Sequence, residues 1–223
     1  MTVLYEDNHI IAVNKTTSEI VQGDKTGDEP LSETIKKYIK VKYNKPGEVF
    51  LGVTHRLDRP VSGVVLFART SKALIRLNEM FKNHEIQKKY WAIVKNQPPQ
   101  DEGRLEHYLL RNEKQNKSFA YDKPVPESKK ASLTYKLLSR SDNYYLLEIN
   151  LETGRHHQIR CQLAKMGCPI KGDLKYGFAR SNANGGISLH ARNVSFVHPV
   201  TKEQIYIEAP LPEDDVLWQA FNI

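Results

Sequence analysis

One short stretch constrains the fold more than any other part of the chain: five apolar residues, 64–68, between a Ser-Gly pair and an Arg-Thr pair. An apolar run of this length between turn-forming residues predicts a buried strand. The residues just before it, 55–63, then lie on a turn at the edge of a sheet. Reactive side chains are often held at such a place.

Apolar patterns elsewhere predict more strands than helices. Strands are predicted at residues 3–5, 10–13, 90–94, 134–138, 144–151, 187–190 and 205–207, and helices from about residues 31, 71 and 153. Strands follow one another as often as they follow helices. This order predicts an α+β fold with a mixed, largely antiparallel central sheet and flanking helices. Residues 96–103 and 111–130 are polar and rich in turn formers, which predicts surface loops or an inserted hairpin.

The chain is basic, with 33 Lys and Arg against 26 Asp and Glu and a net charge of +7. The basic residues are grouped within residues 36–45, 88–89, 111–117 and 123–130. Each group alone is typical of a solvated face. Together with the carboxylate of Asp58 on the 55–63 loop, they favour RNA or DNA as the partner.

Length and cysteine content limit the remaining possibilities. The 223 residues are enough to bury a core, and we predict a single domain over 1–223. Cys161 and Cys168 are too few for a disulfide framework and lack the spacing of a zinc site, so we expect both to be reduced and structural. The N-terminus has no signal-peptide pattern, and no apolar run reaches membrane-spanning length. We therefore expect a soluble, cytoplasmic monomer that needs no membrane and no obligate protein partner.

Asp58 is the candidate reactive group of the 55–63 loop. It lies between Arg56 and Arg59, and Pro60 follows. Proline fixes its own φ and biases the preceding residue away from helix, so this loop is stiff and presents the carboxylate. The alternative is that Asp58 only caps the turn or pairs with a neighbouring arginine.

A second cluster of charged and small residues covers 153–160. Gly154 permits a tight turn from strand to helix, and the free N–H groups at a helix N-terminus bind phosphate. Arg155 and Arg160 add positive charge there. If Ile159 faces the core, Arg160 lies about 100° around the helix, where it could pair with a buried carboxylate. The alternative is a surface arginine.

Five clusters, in this order, resemble the motifs of the RluA-type family of RNA pseudouridine synthases. Residues 3–15 resemble the opening motif, 55–63 the catalytic loop, 88–90 the K-x-Y segment, 153–176 the third motif and 189–201 the closing motif. The resemblance runs from residue 3 to about residue 210. It implies the pseudouridine synthase fold with a catalytic cleft across the sheet, and a catalytic domain alone, without the S4-type RNA-binding module of many relatives.

The resemblance also implies the roles of individual residues. Asp58 is expected to be the nucleophile, Arg160 its ionic partner and Tyr90 a wall of the uracil pocket. Leu189 is expected in the same wall, and Arg56, Arg59 and Arg155 are expected to bind the substrate. The expected substrate is a uridine of tRNA or rRNA that is flipped out of its helix. The isomerisation is redox-neutral, so we expect no cofactor and no metal.

Two other functions remain open at this stage. A metal-dependent phosphoesterase would use His55 and Asp58 with His156 and His157 as ligands, although their spacing is poor for a metal site. A catalytically silent RNA-binding protein of the same fold would be expected to lack Asp58, Tyr90 or Arg160, and all three are present. We interpret the three histidines as structural or RNA-facing.

Overall fold

The computed structural model describes residues 1–221. They form two compact units, one of residues 1–87 with 191–210 and one of residues 88–190 with 211–221. We call them unit 1 and unit 2. The single domain predicted over 1–223 stays a prediction.

The strands and helices follow in chain order. The strands are β1 Thr2–Glu6, β2 Ile10–Lys15, β3 Gly52–Val53, β4 Ser62–Ala68, β5 Gln87–Val94, β6 Glu102–Asn112, β7 Lys117–Tyr121, β8 Lys129–Arg140, β9 Tyr145–Leu151, β10 Leu189–Val197 and β11 Gln204–Glu208. The helices are α1 Leu31–Lys42, α2 Ser71–Lys82 and α3 Gln158–Lys165, and a 3-10 helix covers Leu174–Tyr176. The eight strand pairs whose register is described are antiparallel. The predicted α+β class, with its largely antiparallel sheet and flanking helices, is confirmed.

Unit 1 is built around β4, the strand predicted from the apolar run. All seven of its residues are buried. It pairs with β2 from Ile10 opposite Ala68 to Lys15 opposite Gly63. Helix α2 covers the sheet with Ala73, Leu77 and Met80, which pack into one core with residues of β2, β4, β10 and β11. The end of β2 therefore lies beside the start of β4, where the 55–63 loop ends.

Unit 2 has the strand order β5-β9-β8-β6-β7. Helix α3 buries Cys161 against Leu109 of β6 and Ala131 of β8. Both cysteines are buried free thiols, as expected. Of the two alternatives for residues 111–130, the inserted hairpin is confirmed for β6 and β7, which pair from Tyr108 opposite Tyr121 to Asn112 opposite Lys117.

Helix α3 begins at Gln158, later than the Thr153-Gly154 start that the sequence predicts. His157, the residue before it, has φ of 52°, so the backbone is left-handed there and interrupts the helix. The Gln158 side chain takes the place of further helical turns: its Oε1 accepts from Thr153 Oγ1 at 2.7 Å and from Arg155 N at 3.0 Å. Among residues 1–221, no helix combines the length and apolar character that a bilayer crossing needs.

A glycine pair tests the packing at the start of β4. Gly63 has φ of +115°, and a Cβ there would lie 2.2 Å from the Ala191 carbonyl oxygen, whereas Gly167 has φ of +86° and open space around it. Gly167→Ala should lose only the cost of a left-handed alanine, about 1–2 kcal/mol. Gly63→Ala must also displace backbone, so its free energy of unfolding should fall clearly further. Equal losses in urea denaturation would contradict this packing.

Candidate active site

Asp58 is presented on a turn that buried residues anchor at both ends. The turn is closed by Val61 N, which donates to the Asp58 carbonyl oxygen at 3.0 Å. Leu57 and Val61 are buried, whereas Asp58 itself is half-buried. The carboxylate is thus carried by a short segment with little freedom to move.

Lys15, the last residue of β2, binds this turn through its side-chain ammonium. Its side chain is 0% exposed. Its Nζ donates to the carbonyl oxygens of Arg59 at 3.0 Å, Val61 at 2.6 Å and Thr16 at 3.0 Å. An ammonium has three N–H donors, and these three bonds use all of them. Two of the three acceptors belong to the Asp58 turn, so the lysine fixes the backbone on the C-terminal side of Asp58.

The buried environment of Lys15 disfavours the charged form of its side chain. Burial lowers the pKa of the ammonium to about 8, and the nearby charge of Arg59 acts in the same direction. The carboxylates of Glu19 and Asp58 oppose this shift and favour the charged lysine.

The two arginines beside Asp58 differ in their surroundings. Arg56 is exposed. The Arg59 guanidinium binds an acidic loop, with Nη1 at 2.7 Å from Asp28 Oδ2 and Nη2 at 2.8 Å from Thr26 Oγ1 and 3.3 Å from Asp24 Oδ2. A phosphate that engaged Arg59 would have to compete with these two carboxylates. Substrate binding by either arginine stays a prediction.

In unit 2, Arg160 is buried and paired with a carboxylate. Its side chain is only 6% exposed, so the alternative of a surface arginine is wrong. Nε lies 2.7 Å from Asp173 Oδ2 and Nη2 lies 2.9 Å from Asp173 Oδ1, a planar two-bond pair. The sequence predicts Asp58 as the ionic partner of Arg160, and that pairing stays a prediction. Asp173 is a partner that sequence reasoning missed.

The remaining predicted residues of unit 2 lie on β5, β10 and the turn before α3. Tyr90 is buried on β5 opposite Ile149, and Leu189 is buried at the start of β10. Arg155 is exposed, and its Nε donates to the Lys130 carbonyl oxygen at 3.0 Å. Their roles toward a substrate stay predictions.

Two further lysines, one in each unit, belong to the motif clusters but have no role assigned from the sequence. Lys88 precedes Tyr90 by two residues on β5, and its Nζ lies 3.5 Å from the place of a Cβ on Gly154. Burial lowers the pKa of this lysine. Lys15 follows an apolar strand at the position where β2 ends, and its place in the opening motif was the only sequence signal for it. Within residues 1–221, no three His, Cys, Asp or Glu side chains group closely enough to hold a metal ion.

Comparison with known proteins gives concordant relatives. The model of the RNA pseudouridylate synthase family matches residues 9–165. A tRNA pseudouridine synthase C of Vibrio cholerae is 30% identical over 240 residues, which cover 98% of this chain and 93% of the relative. A ribosomal large subunit pseudouridine synthase C of Buchnera aphidicola is 31% identical over 218 residues, which cover 94% of this chain and 67% of the relative.

The fold also has a solved counterpart. The structure of human RNA pseudouridylate synthase domain containing 4 superimposes with a TM-score of 0.83 at 21% identity, and the match covers 100% of this chain and 94% of that one. At this level of identity the likeness shows the fold alone.

The buried lysine predicts a pH dependence of stability. An unfolded lysine has a pKa of 10.5 and Lys15 in the fold has a pKa of about 8, so between these values the unfolded chain binds more protons. The contribution of Lys15 to the free energy of unfolding should therefore rise from pH 8 to 10.5, by about 3 kcal/mol at most.

The measurement is the difference in unfolding free energy between the parent and Lys15→Met across this pH range. Lys40→Met, which changes an exposed lysine of α1, is the matched control and should give a flat difference. A flat difference for Lys15→Met as well would show that its ammonium is not desolvated.

Proposed function

This chain belongs to the RNA pseudouridylate synthase family and is an isomerase, and we propose that it converts specific uridines of tRNA or rRNA to pseudouridine through the carboxylate of Asp58. The reaction breaks the bond from N1 of uracil to C1′ and forms a bond from C5 to C1′. The hydrogen on C5 leaves and a proton is gained at N1, so the product is an isomer of the substrate. Neither an oxidant nor an outside energy source is required.

The observation that carries this proposal is the Asp58 turn. Its carboxylate is half-buried, and its backbone is fixed by the buried ammonium of Lys15. An ionised, preorganised carboxylate is what nucleophilic catalysis needs. Asp58 adds to C6 of uracil, attacks C1′ or assists formation of a glycal, and all three routes use the same carboxylate.

Arg160 and Tyr90 complete the proposed chemistry. Arg160 would pair with Asp58 and keep it ionised through the attraction of opposite charges. Tyr90 would stack on the flipped base and take part, directly or through water, in removing the C5 proton. Leu189 would pack against the base. These roles rest on the motif resemblance.

RNA is the proposed partner because of the names of the relatives and the charge of the chain. One relative is named for tRNA and another for the large ribosomal subunit, and this chain carries a net charge of +7. Arg56, Arg59 and Arg155 are proposed to bind backbone phosphates around a target that is flipped out of its helix. We further propose that the enzyme acts as a cytoplasmic monomer without a cofactor.

Asp58→Asn tests the nucleophile. The amide is nearly isosteric but cannot form the ester or adduct, so conversion should be abolished while RNA affinity and fold persist. Tritium release from RNA labelled at uracil C5 measures conversion, and total cellular RNA offers all uridines of the cell as substrates. Asp142→Asn, at an exposed turn, is the control and should react at the parent rate.

Release by Asp58→Asn near the parent rate would remove Asp58 from the mechanism. A parent protein that binds RNA but releases no tritium from any RNA would instead support the catalytically silent alternative.

Tyr90→Phe separates stacking from proton transfer, since it keeps the ring and removes only the hydroxyl. If the hydroxyl helps to remove the C5 proton, RNA binding should be normal and glycosidic cleavage should outpace tritium release in a single turnover. Parent rates for both steps would leave Tyr90 as a stacking surface only. Tyr206→Phe, which removes an exposed hydroxyl of β11, is the control.

A further inference from the structure

We propose that His157 and Tyr176 are positioning residues of this enzyme: a neutral His157, whose tautomer is set by the Tyr176 hydroxyl, holds the Arg160 guanidinium in the orientation that catalysis needs. The inference rests on the proposed function, in which Arg160 serves Asp58. It gives a role to His157 and Tyr176, to which the motif resemblance assigns none. Each step of it lies within unit 2.

The Arg160 guanidinium makes three described hydrogen bonds. Two go to Asp173, and in the third Nη1 lies 3.0 Å from His157 Nε2. Arginine carries only N–H donors and does not lose its proton in proteins. His157 Nε2 must therefore accept, which requires a neutral imidazole with its proton on Nδ1. These bonds account for three of the five guanidinium N–H groups.

The surroundings of His157 keep it neutral. His157 is only 8% exposed. Burial first, and then the positive charge of Arg160, lower the pKa of the imidazole to about 2. His157 therefore does not compete with Arg160 as a second cation at neutral pH.

The Tyr176 hydroxyl fixes which nitrogen of His157 carries the proton. His157 Nδ1 lies 3.0 Å from Tyr176 Oη, which also accepts from Ser118 N at 2.8 Å and donates to the Ser118 carbonyl oxygen at 3.2 Å. Because the hydroxyl hydrogen is engaged by that carbonyl, the oxygen faces His157 as an acceptor. The opposite tautomer would place an N–H of Arg160 against an N–H of His157. Burial raises the pKa of Tyr176, so the hydroxyl retains its hydrogen.

The packing around the imidazole restricts its rotation. The His156 ring stacks on it with centroids 3.8 Å apart, and His156 Nδ1 in turn lies 2.9 Å from Ser118 Oγ. The backbone of His157 is left-handed, a conformation in which histidine is enriched among non-glycine residues. The Arg160 guanidinium lies over the Tyr176 ring, 5.1 Å from its centroid. Arg160 Nη1 therefore binds an imidazole whose own orientation is fixed.

The consequence for catalysis is a matter of orientation. Asp173 binds one edge of the guanidinium plane, and His157 adds a bond at the far nitrogen that resists rocking of that plane. Loss of this bond should slow the chemical step, because a misplaced catalytic group costs rate even when binding is unchanged. It should not alter RNA affinity.

Two variants of His157 test the hydrogen bond with backbone strain held equal. His157→Gln and His157→Met are both unbranched and face the same left-handed backbone, but only glutamine offers an acceptor to Arg160. His157→Met should lower kcat about 10- to 100-fold with KM unchanged, and His157→Gln should recover most of that loss. Tyr176→Phe, which leaves the ring in place but no longer sets the tautomer, should give an intermediate loss in kcat.

A readout that needs no activity separates this inference from the proposed function. In protein labelled with ¹⁵N-arginine, restricted rotation should give Arg160 separate Nη signals in the parent and in His157→Gln, and averaged signals in His157→Met and Tyr176→Phe. Separate signals in all four proteins would overturn the inference, even if the protein proved inactive on RNA. So would equal kcat losses in the glutamine and methionine variants, or averaged Arg160 signals with kcat at the parent value.

Discussion

The ammonium of Lys15 is the contact on which the candidate active site depends most. Its side-chain hydrogen bonds tie the end of β2 to two carbonyl oxygens of the Asp58 turn. Burying an ammonium costs free energy unless each of its N–H groups donates a hydrogen bond. In Lys15 all three N–H groups donate to carbonyl oxygens. If the Asp58 turn moved away from Lys15, the buried ammonium would lose two of its three hydrogen-bond acceptors. The position of the proposed nucleophile is therefore coupled to the stability of the strand pair β2 and β4.

The second buried cation, Arg160, is compensated in a different way. Lys15 is held by neutral carbonyl dipoles, so its charge remains available to act on nearby carboxylates, and burial lowers its pKa to about 8. Arg160 has a full carboxylate partner in Asp173 and a neutral imidazole in His157. Together these two partners set the direction of its guanidinium plane. A flexible lysine suits the first task and a planar guanidinium suits the second.

Sequence reasoning recovered the parts of the fold that local patterns specify. The apolar run 64–68 became β4 because every one of its side chains is buried, and the turn-rich stretch 111–130 contains the hairpin of β6 and β7. Strand β6 itself was missed because its exposed and half-buried residues carry little apolar signal, and its pairing with β7 and β8 is a tertiary effect. The start of α3 was placed early because the Gln158 side chain, not a helical turn, satisfies the backbone before it. Lys15 and Asp173 were missed as partners because burial of a charge depends on residues distant in sequence.

The most direct test of this account is hydrogen exchange at the Asp58 turn in Lys15→Met. The Val61 amide donates to the Asp58 carbonyl, so its exchange rate reports whether the turn stays closed. If Lys15 holds the turn, exchange at Val61 should accelerate about tenfold or more in the variant, the equivalent of about 1.4 kcal/mol of lost local stability, while amides of β9 keep their parent rates. Unchanged exchange at Val61 in a folded Lys15→Met protein would show that the turn is held by other contacts and would contradict the central claim.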